Sequence, residues 1–241
     1  MYLDDALSDP SYWLEGAEAH RLLRVLRLGP GAALCLFNGR GRTLPVSIST
    51  ADKRRVLLEA RGRPVDDPPP PCRITLFQSL IKGPRMDWLV EKCVELGASR
   101  LAPVLTTRTV SRVDAAGNGA HKRARWAKIA MEAARQCGTA WLPEIDAPAT
   151  LERVLNEWTP MEAPLLVGSL MPETTPLPEA LPPRPPRHIG VLIGPEGDFA
   201  PAELAAACRA GARPVSFGPR ILRAETAALF ALSVLSAHWR H

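Results

Sequence analysis

The 241-residue sequence contains no apolar run of about 18 residues, so no segment is built to cross a bilayer as a helix. Its first residues, MYLDDALSDP, lack the cationic-then-apolar order of a signal peptide, and a cytoplasmic location is expected. The five cysteines, at 35, 72, 93, 137 and 208, are scattered and form no C-x-x-C pair. Reduced thiols are expected rather than disulfides or zinc ligands, and no metal site is expected. The phosphate-binding pattern G-x-x-x-x-G-K-[ST] is missing, as is G-x-G-x-x-G after a first strand. A P-loop nucleotide hydrolase and a dinucleotide-binding domain are thereby disfavoured.

What is present is ordinary in amount and uneven in placement. Hydrophobic residues make up 46% and charged residues 23%, enough apolar side chains to bury a core in one large domain or two modest ones. The net charge is +5, yet residues 20–63 carry ten Lys/Arg against two Asp/Glu, and residues 71–140 carry twelve against five. Two basic blocks point to a polyanionic partner, nucleic acid first; a solvated arginine-rich surface is the alternative.

Residues 1–70 read mainly as β-structure. AALCLF (32–37), TLPVSI (43–48) and RVLLEA (55–60) have strand patterning, NGRG (38–41) is a hairpin turn, and 18–28 fits one short helix. The stretch RGRPVDDPPPPC (61–72) ends in four consecutive prolines and predicts a stiff connector between domains 1–70 and 73–241. Beyond it strands and helices alternate. Strands are expected at 73–81, 100–105, 164–169, 188–194 and 214–217, and helices at 84–97, 121–138, 149–158, 201–211 and 224–239. Alternation of this kind implies an α/β domain with a parallel sheet covered on both faces. The proline-rich segment 171–187 reads as a surface loop.

Two turns carry the candidate chemistry: LIGPEGDF (192–199) and FGPRILRAETA (217–227), each a strand running into glycine and proline and then a helix. Ligands of parallel sheets bind beyond the carboxyl ends of strands, and glycine lets a backbone approach a ligand without a Cβ between them. GPEG alone could equally be a tight connection. In the helix 121–138, Arg125, Lys128, Glu132 and Arg135 share one side, while Trp126, Ile129, Ala130, Ala133 and Cys137 take the core side.

Together IGPEGDF and FGPRILRAETA resemble the C-terminal signature of the bacterial 16S rRNA uridine-N3 methyltransferases, the small subunit methyltransferase E family of the SPOUT superfamily. HRLLRVLRLGPG, FNGRG, KGPRMDWLVEKCVELG and RWAKIAMEAARQCG extend the resemblance, in the family's order, over nearly the whole chain. The resemblance implies a PUA-like RNA-binding β-barrel at 1–70 and a SPOUT domain with a deep trefoil knot at 73–241. It also implies S-adenosylmethionine as cofactor, 16S rRNA of the small ribosomal subunit as partner, and a homodimer. The cofactor would be held by Gly168, Ser169, Leu170, Ile193, Gly194, Pro195, Glu196, Gly197, Phe217, Gly218, Ile221, Leu222, Arg223 and Thr226. RNA would meet Arg24, Lys53, Arg54, Arg55, Lys82, Arg85, Arg108, Arg125, Lys128, Arg135 and Gln136.

Methylating N3 of uracil means removing a weakly acidic proton or stabilising the anion left behind. Glu196 and Glu225 are the candidate acceptors, and Arg220 and Arg223 the candidate cations. Arg223 is favoured as catalytic and Glu225 as structural; a salt bridge between them, shaping the turn, is the bland alternative. The chain departs from the family pattern at Asp198, where a glycine is usual, at Ala200, where Ser or Thr is frequent, and at Thr139, where Ser-Gly-Arg usually stands in place of Cys-Gly-Thr. A SPOUT ribose 2′-O-methyltransferase and a non-catalytic RNA-binding module are the competing readings.

Overall fold

The computed structural model describes residues 1–52, 54–109, 118–158 and 163–239. Contacts divide the chain into two compact units, Met1–Pro69 with Gly138–Trp141, and Pro70–Cys137 with Leu142–His241.

The first unit is an antiparallel sheet. Its elements are β1 (Ser11–Glu15), α1 (Gly16–His20), β2 (Ala33–Phe37), β3 (Arg42–Ala51), β4 (Arg55–Ala60) and β5 (Val65–Asp66). The strand order is β1-β4-β3-β2, with β5 added to β3. The NGRG turn joins β2 to β3 as expected, with Gly39 and Gly41 at φ 73° and 90°. Asn38 Oδ1 holds that turn by accepting from the backbone N–H of Arg40 (2.8 Å) and Arg42 (3.1 Å). The expected helix over 18–28 is shorter: α1 passes into a single π-turn at Arg21–Val25, and the chain leaves it with Arg27 at φ 54°. Strand β1 was not anticipated, although Tyr12 and Leu14 alternate inward from exposed Ser11, Trp13 and Glu15. Nor was β5, which lies inside the segment read as a connector. Leu14, Leu36, Leu44, Ile48, Val56 and Leu58, all at most 3% exposed, form the core of this unit.

The second unit is α/β. It runs β6 (Arg73–Ser79), α2 (Gly83–Glu95), β7 (Arg100–Leu105), α3 (Asn118–Cys137), β8 (Glu144–Ile145), β9 (Ala149–Thr150), α4 (Leu151–Trp158), β10 (Leu165–Gly168), β11 (Thr175–Pro176), α5 (Leu177–Ala180), β12 (His188–Ile193), α6 (Pro201–Arg209), β13 (Ala212–Ser216) and α7 (Ala224–His238). All the sheet pairings are parallel, in the order β11-β13-β10-β12-β6-β7-β8, with β9 also on β7. The central strands read as nearly continuous apolar runs because both faces are covered.

Helix α2 buries Met86, Leu89, Val90 and Cys93 at helical spacing and stops at Gly97, φ 81°, as the sequence implies. Burial pushes the Cys72 thiol up to about 12 and raises that of Cys93 further, so neither is a thiolate at neutral pH. Cys137 was expected on the core side of α3 and is instead exposed, because the helix ends there. The proline-rich segment is not simple loop: it contains β11 and α5. Among the described residues, no helix is long and apolar enough to cross a membrane, and no group of three metal-ligating side chains occurs.

Strand β12 depends on Gly190. A Cβ there would lie 2.8 Å from Leu165 and 3.0 Å from both Phe77 and Trp158. Phe77 and Trp158 form an edge-to-face pair, ring centroids 5.2 Å apart, in the sheet's apolar core. Gly190→Ala should therefore cost about 1–3 kcal/mol through overpacking. A melting curve should move down by several degrees, and a shift under about 1 °C would contradict this packing account.

Candidate cofactor and methyl-transfer site

Strands β10, β12 and β13 are neighbours and end level with one another, at Gly168, Ile193 and Ser216. Their three following loops enclose one cavity of about 510 Å³. Of the residues expected to hold a cofactor, the cavity is lined by all except Gly197 and Thr226. The expected cofactor residues did not include Met171, Thr174, Asp198, Ser216, Pro219, Ala224 and Ala227, which also line it. The last two follow from the first turn of α7, whose inner face could have been read from its alanine spacing.

Gly168 packs against the ring of Phe217, where a Cβ would approach to 2.6 Å. Phe217 in turn tilts against Phe230 of α7. A Cβ on Gly194 would stand 3.2 Å from both Asp198 Oδ1 and the Phe199 ring. Gly218 differs: space around it is open, but its φ of 106° is reserved for glycine. Asp198 takes φ 58° in the other loop, a left-handed conformation that Asp tolerates better than most residues. Its Oδ1 accepts from the Phe199 N–H at 2.8 Å, and its own N–H donates to Pro195 O at 2.9 Å.

Arg108, an exposed residue, supports this loop. Its Nη1 donates to Gly197 O at 2.6 Å. Ala200 caps α6 without a side-chain acceptor, as expected. The loss is partly offset by Glu203, which accepts from the Ala200 N–H at 2.9 Å and from Thr107 N–H at 2.8 Å.

Four charged groups mark the site. Arg220 and Arg223 line the cavity, are exposed, and have no ion-pair partner among the described residues. The expected alternative, an Arg223–Glu225 salt bridge, is not formed. Glu225 is 8% exposed and faces Arg85 Nε at 3.8 Å. Glu196 is exposed on the cavity wall and faces Arg85 Nη1 at 3.6 Å. Arg85, read from sequence as an RNA contact, thus sits between two carboxylates.

The remaining RNA positions sort by their neighbours. In α3, Lys128 and Gln136 are exposed. Arg125 pairs with Asp87, which also accepts from Trp126 Nε1 at 3.2 Å. Trp126 is 4% exposed and packs as the sequence implied. Arg135 does not share the exposed face: its side chain is 9% exposed and pairs with Glu132 at 2.6 Å. Lys82 precedes α2 and is exposed. In the first unit Arg24 and Arg54 are exposed, and Arg55 lies over Trp13, 4.4 Å from its ring centre, while pairing with Asp52. Lys53 lies outside the described residues.

The cavity fits an S-adenosylmethionine-sized ligand in kind as well as in volume. Leu170, Ile221, Leu222 and Phe217 offer apolar faces for a flat ring, the glycine loops bring backbone close, and Glu196 and Asp198 offer negative charge to a sulfonium or ammonium group.

The class of protein is an RNA methyltransferase: residues 68–236, the parallel α/β unit with this cavity, match the RNA methyltransferase domain, and residues 14–60, in the antiparallel unit, the RNA methyltransferase PUA domain. Ribosomal RNA small subunit methyltransferase E of Synechocystis is 33% identical over 93% of this chain and 72% of its own length. The Neisseria gonorrhoeae ribosomal RNA small subunit methyltransferase E bound to S-adenosylmethionine superposes with a TM-score of 0.88 at 31% identity, over 99% of this chain and 96% of the other. A Legionella pneumophila methyltransferase in complex with S-adenosylmethionine gives 0.86 at 32% identity, over 98% and 96%. The chain belongs to the ribosomal RNA small subunit methyltransferase E family, with an N-terminal PUA-like antiparallel sheet and a C-terminal SPOUT α/β domain.

The two glycine loops generate a prediction. Gly194→Val adds bulk against Asp198 and Phe199; Gly218→Val forces a branched residue into left-handed backbone. Each variant should weaken S-adenosylmethionine binding about tenfold or more by calorimetry with the fold retained. Unchanged affinity in either would mean the cavity is not the cofactor site.

Proposed function

We propose that this chain transfers a methyl group from S-adenosylmethionine to N3 of a specific uridine in 16S rRNA of the small ribosomal subunit. The observation that carries this is the single cavity formed by the 168–171, 194–198 and 217–223 loops, with two unopposed arginines and a carboxylate on its wall. Residues 1–70 are taken as a PUA-like RNA-binding barrel and residues 73–241 as the methyltransferase domain. A deep trefoil knot is part of the reading. It is supported by β12 lying between β10 and β6, while β13 lies beyond β10. A homodimer is supported by a large apolar side chain left exposed in the second unit outside the cavity, Trp88 at 45%. The setting is the cytoplasm, where the small subunit is made.

S-adenosylmethionine supplies an electrophilic methyl on a sulfonium, so the protein's task is to position it rather than activate it. The glycine loops and the apolar residues around Phe217 hold the cofactor. N3 of uracil carries a proton and is blocked in a Watson–Crick pair, so the target base must be unpaired or flipped. Glu196, exposed on the wall, is placed to accept the N3 proton. Arg223 is taken to stabilise charge on the neighbouring carbonyl oxygens, because no carboxylate among the described residues neutralises it. Glu225, buried against Arg85, has a bracing role.

Mass spectrometry of 16S rRNA nucleosides from a deletion strain, with and without the gene restored, tests the reading. The N3-methyluridine should vanish and return. Arg223→Ala should lower turnover by about ten- to a hundredfold, the worth of one charge-assisted hydrogen bond, with cofactor affinity within a few-fold. Full turnover at saturating cofactor and RNA would remove Arg223 from the mechanism.

Phosphate contacts should make log affinity for RNA fall steeply with log salt. Replacing Lys53, Arg54 and Arg55 by Ala should flatten that slope. A flat response in the parent protein would defeat the polyanion reading.

A further inference from the structure

Arg85 occupies a place that helix physics disfavours. It lies in the first turn of α2, which contains no acidic residue and is preceded by Lys82, so two cations crowd the positive end of the helix dipole. What compensates it comes from elsewhere in the fold. Its guanidinium uses one nitrogen, Nη1, toward Glu196 in the loop after β12, and another, Nε, toward Glu225 in the first turn of α7. At 3.6 and 3.8 Å these are ion pairs longer than hydrogen bonds, and the broad guanidinium faces both carboxylates at once, where a lysine would offer a single point charge.

The two ends of this bridge are unequal. Glu196 is exposed and lines the cavity, while the Glu225 side chain is 11% exposed. The other Glu225 oxygen, Oε2, is buried and makes no hydrogen bond within the described chain. An exposed ion pair would be worth little. Here one carboxylate is buried and Arg85 is its only ion-pair partner among the described residues, so the guanidinium is anchored from the buried end. Its free side then constrains the exposed carboxylate.

We propose that Arg85 is a positioning residue for methyl transfer: anchored by buried Glu225, it fixes the Glu196 carboxylate at the cavity wall where the acceptor base is deprotonated. This rests on the methyltransferase reading given above and departs from the sequence-based role of Arg85 as a phosphate contact. The atoms involved undergo no covalent change; the proton leaves N3 for a Glu196 oxygen, and Arg85 keeps its own protons throughout.

The test begins with the wild-type protein, whose cofactor binding by calorimetry and methyl incorporation into 30S subunits must both be present. Their absence would overturn the methyltransferase reading itself, and the role of Arg85 with it. Given both, Arg85→Ala should lower kcat about tenfold while the KM for RNA, the cofactor Kd and the salt slope stay within about threefold. Arg85→Lys, which keeps the charge but not the fork, should recover part of that loss. Combined with Glu196→Gln, Arg85→Ala should add no further loss beyond about twofold, because both act through one carboxylate.

Glu225→Gln should show the same non-additive behaviour with Glu196→Gln, and it carries the test if Arg85→Ala melts at the assay temperature. A raised KM for RNA with a shallower salt slope and intact kcat would make Arg85 a phosphate contact and overturn the proposal. Multiplicative losses in the double variants would overturn it as well.

Discussion

Parallel pairing of β10 with β12 on one edge and β13 on the other is the constraint on which the site depends. Leu165 stands opposite Gly190 on one side and Ala212 on the other, two small partners that let the strands close around a large apolar core. Because these three strands end level, loops separated by some twenty to fifty residues in sequence emerge side by side. Phe217 can then lie on Gly168, and a single cavity receives Gly194, Gly218 and the arginines of the last turn. No one loop contains a site; adjacency in the sheet creates it.

Counting charge along the chain and placing it in space give different pictures of RNA binding. The block 71–140 is strongly basic by count, yet several of its arginines are already paired or hydrogen-bonded within the chain. Arg125 meets Asp87, Arg135 folds onto Glu132, Arg108 holds the carbonyl of Gly197, and Arg85 lies between Glu196 and Glu225. Lys82 and Lys128 remain exposed. Arg220 and Arg223, which contribute nothing to either basic block, are the cations left unopposed at the cavity. An arginine count therefore measures attraction to a polyanion poorly wherever helices carry their own carboxylates.

Strong local signals made most of the second unit legible. β7 spans the residues expected, and α2, α7 and β12 differ from expectation by one or two residues at their ends, since apolar spacing and glycine stops are written in the residues themselves. The two-residue strands β5, β8, β9 and β11 were not legible, because a pairing that short has no periodicity and is decided by its neighbours. Strand β1 had the alternation but sat behind Pro10 in an acidic segment that drew attention to composition instead. The cavity could be placed by its glycine turns, whereas Met171, Thr174 and Ser216 enter only through loop geometry. Least legible were side-chain pairings across long separations. Nothing local ties Arg85 to residues 196 and 225, so sequence offered the nearer pairing of Arg223 with Glu225.

The departures from the family pattern show how the cofactor loop keeps its shape with different residues. Where glycine is usual, Asp198 still adopts left-handed backbone, and its carboxylate bonds the next N–H, which offsets part of the strain. Where Ser or Thr is frequent, Ala200 cannot accept, but Glu203 reaches back to the Ala200 N–H and ties Thr107 to the same helix end. Arg108, one residue on, clamps Gly197 from outside. Lost side-chain caps and lost glycine freedom are thus replaced by two carboxylates and one guanidinium acting on the backbone. The loop is held by charge-assisted bonds, and each of them must outweigh the entropy lost in ordering a carboxylate or guanidinium side chain.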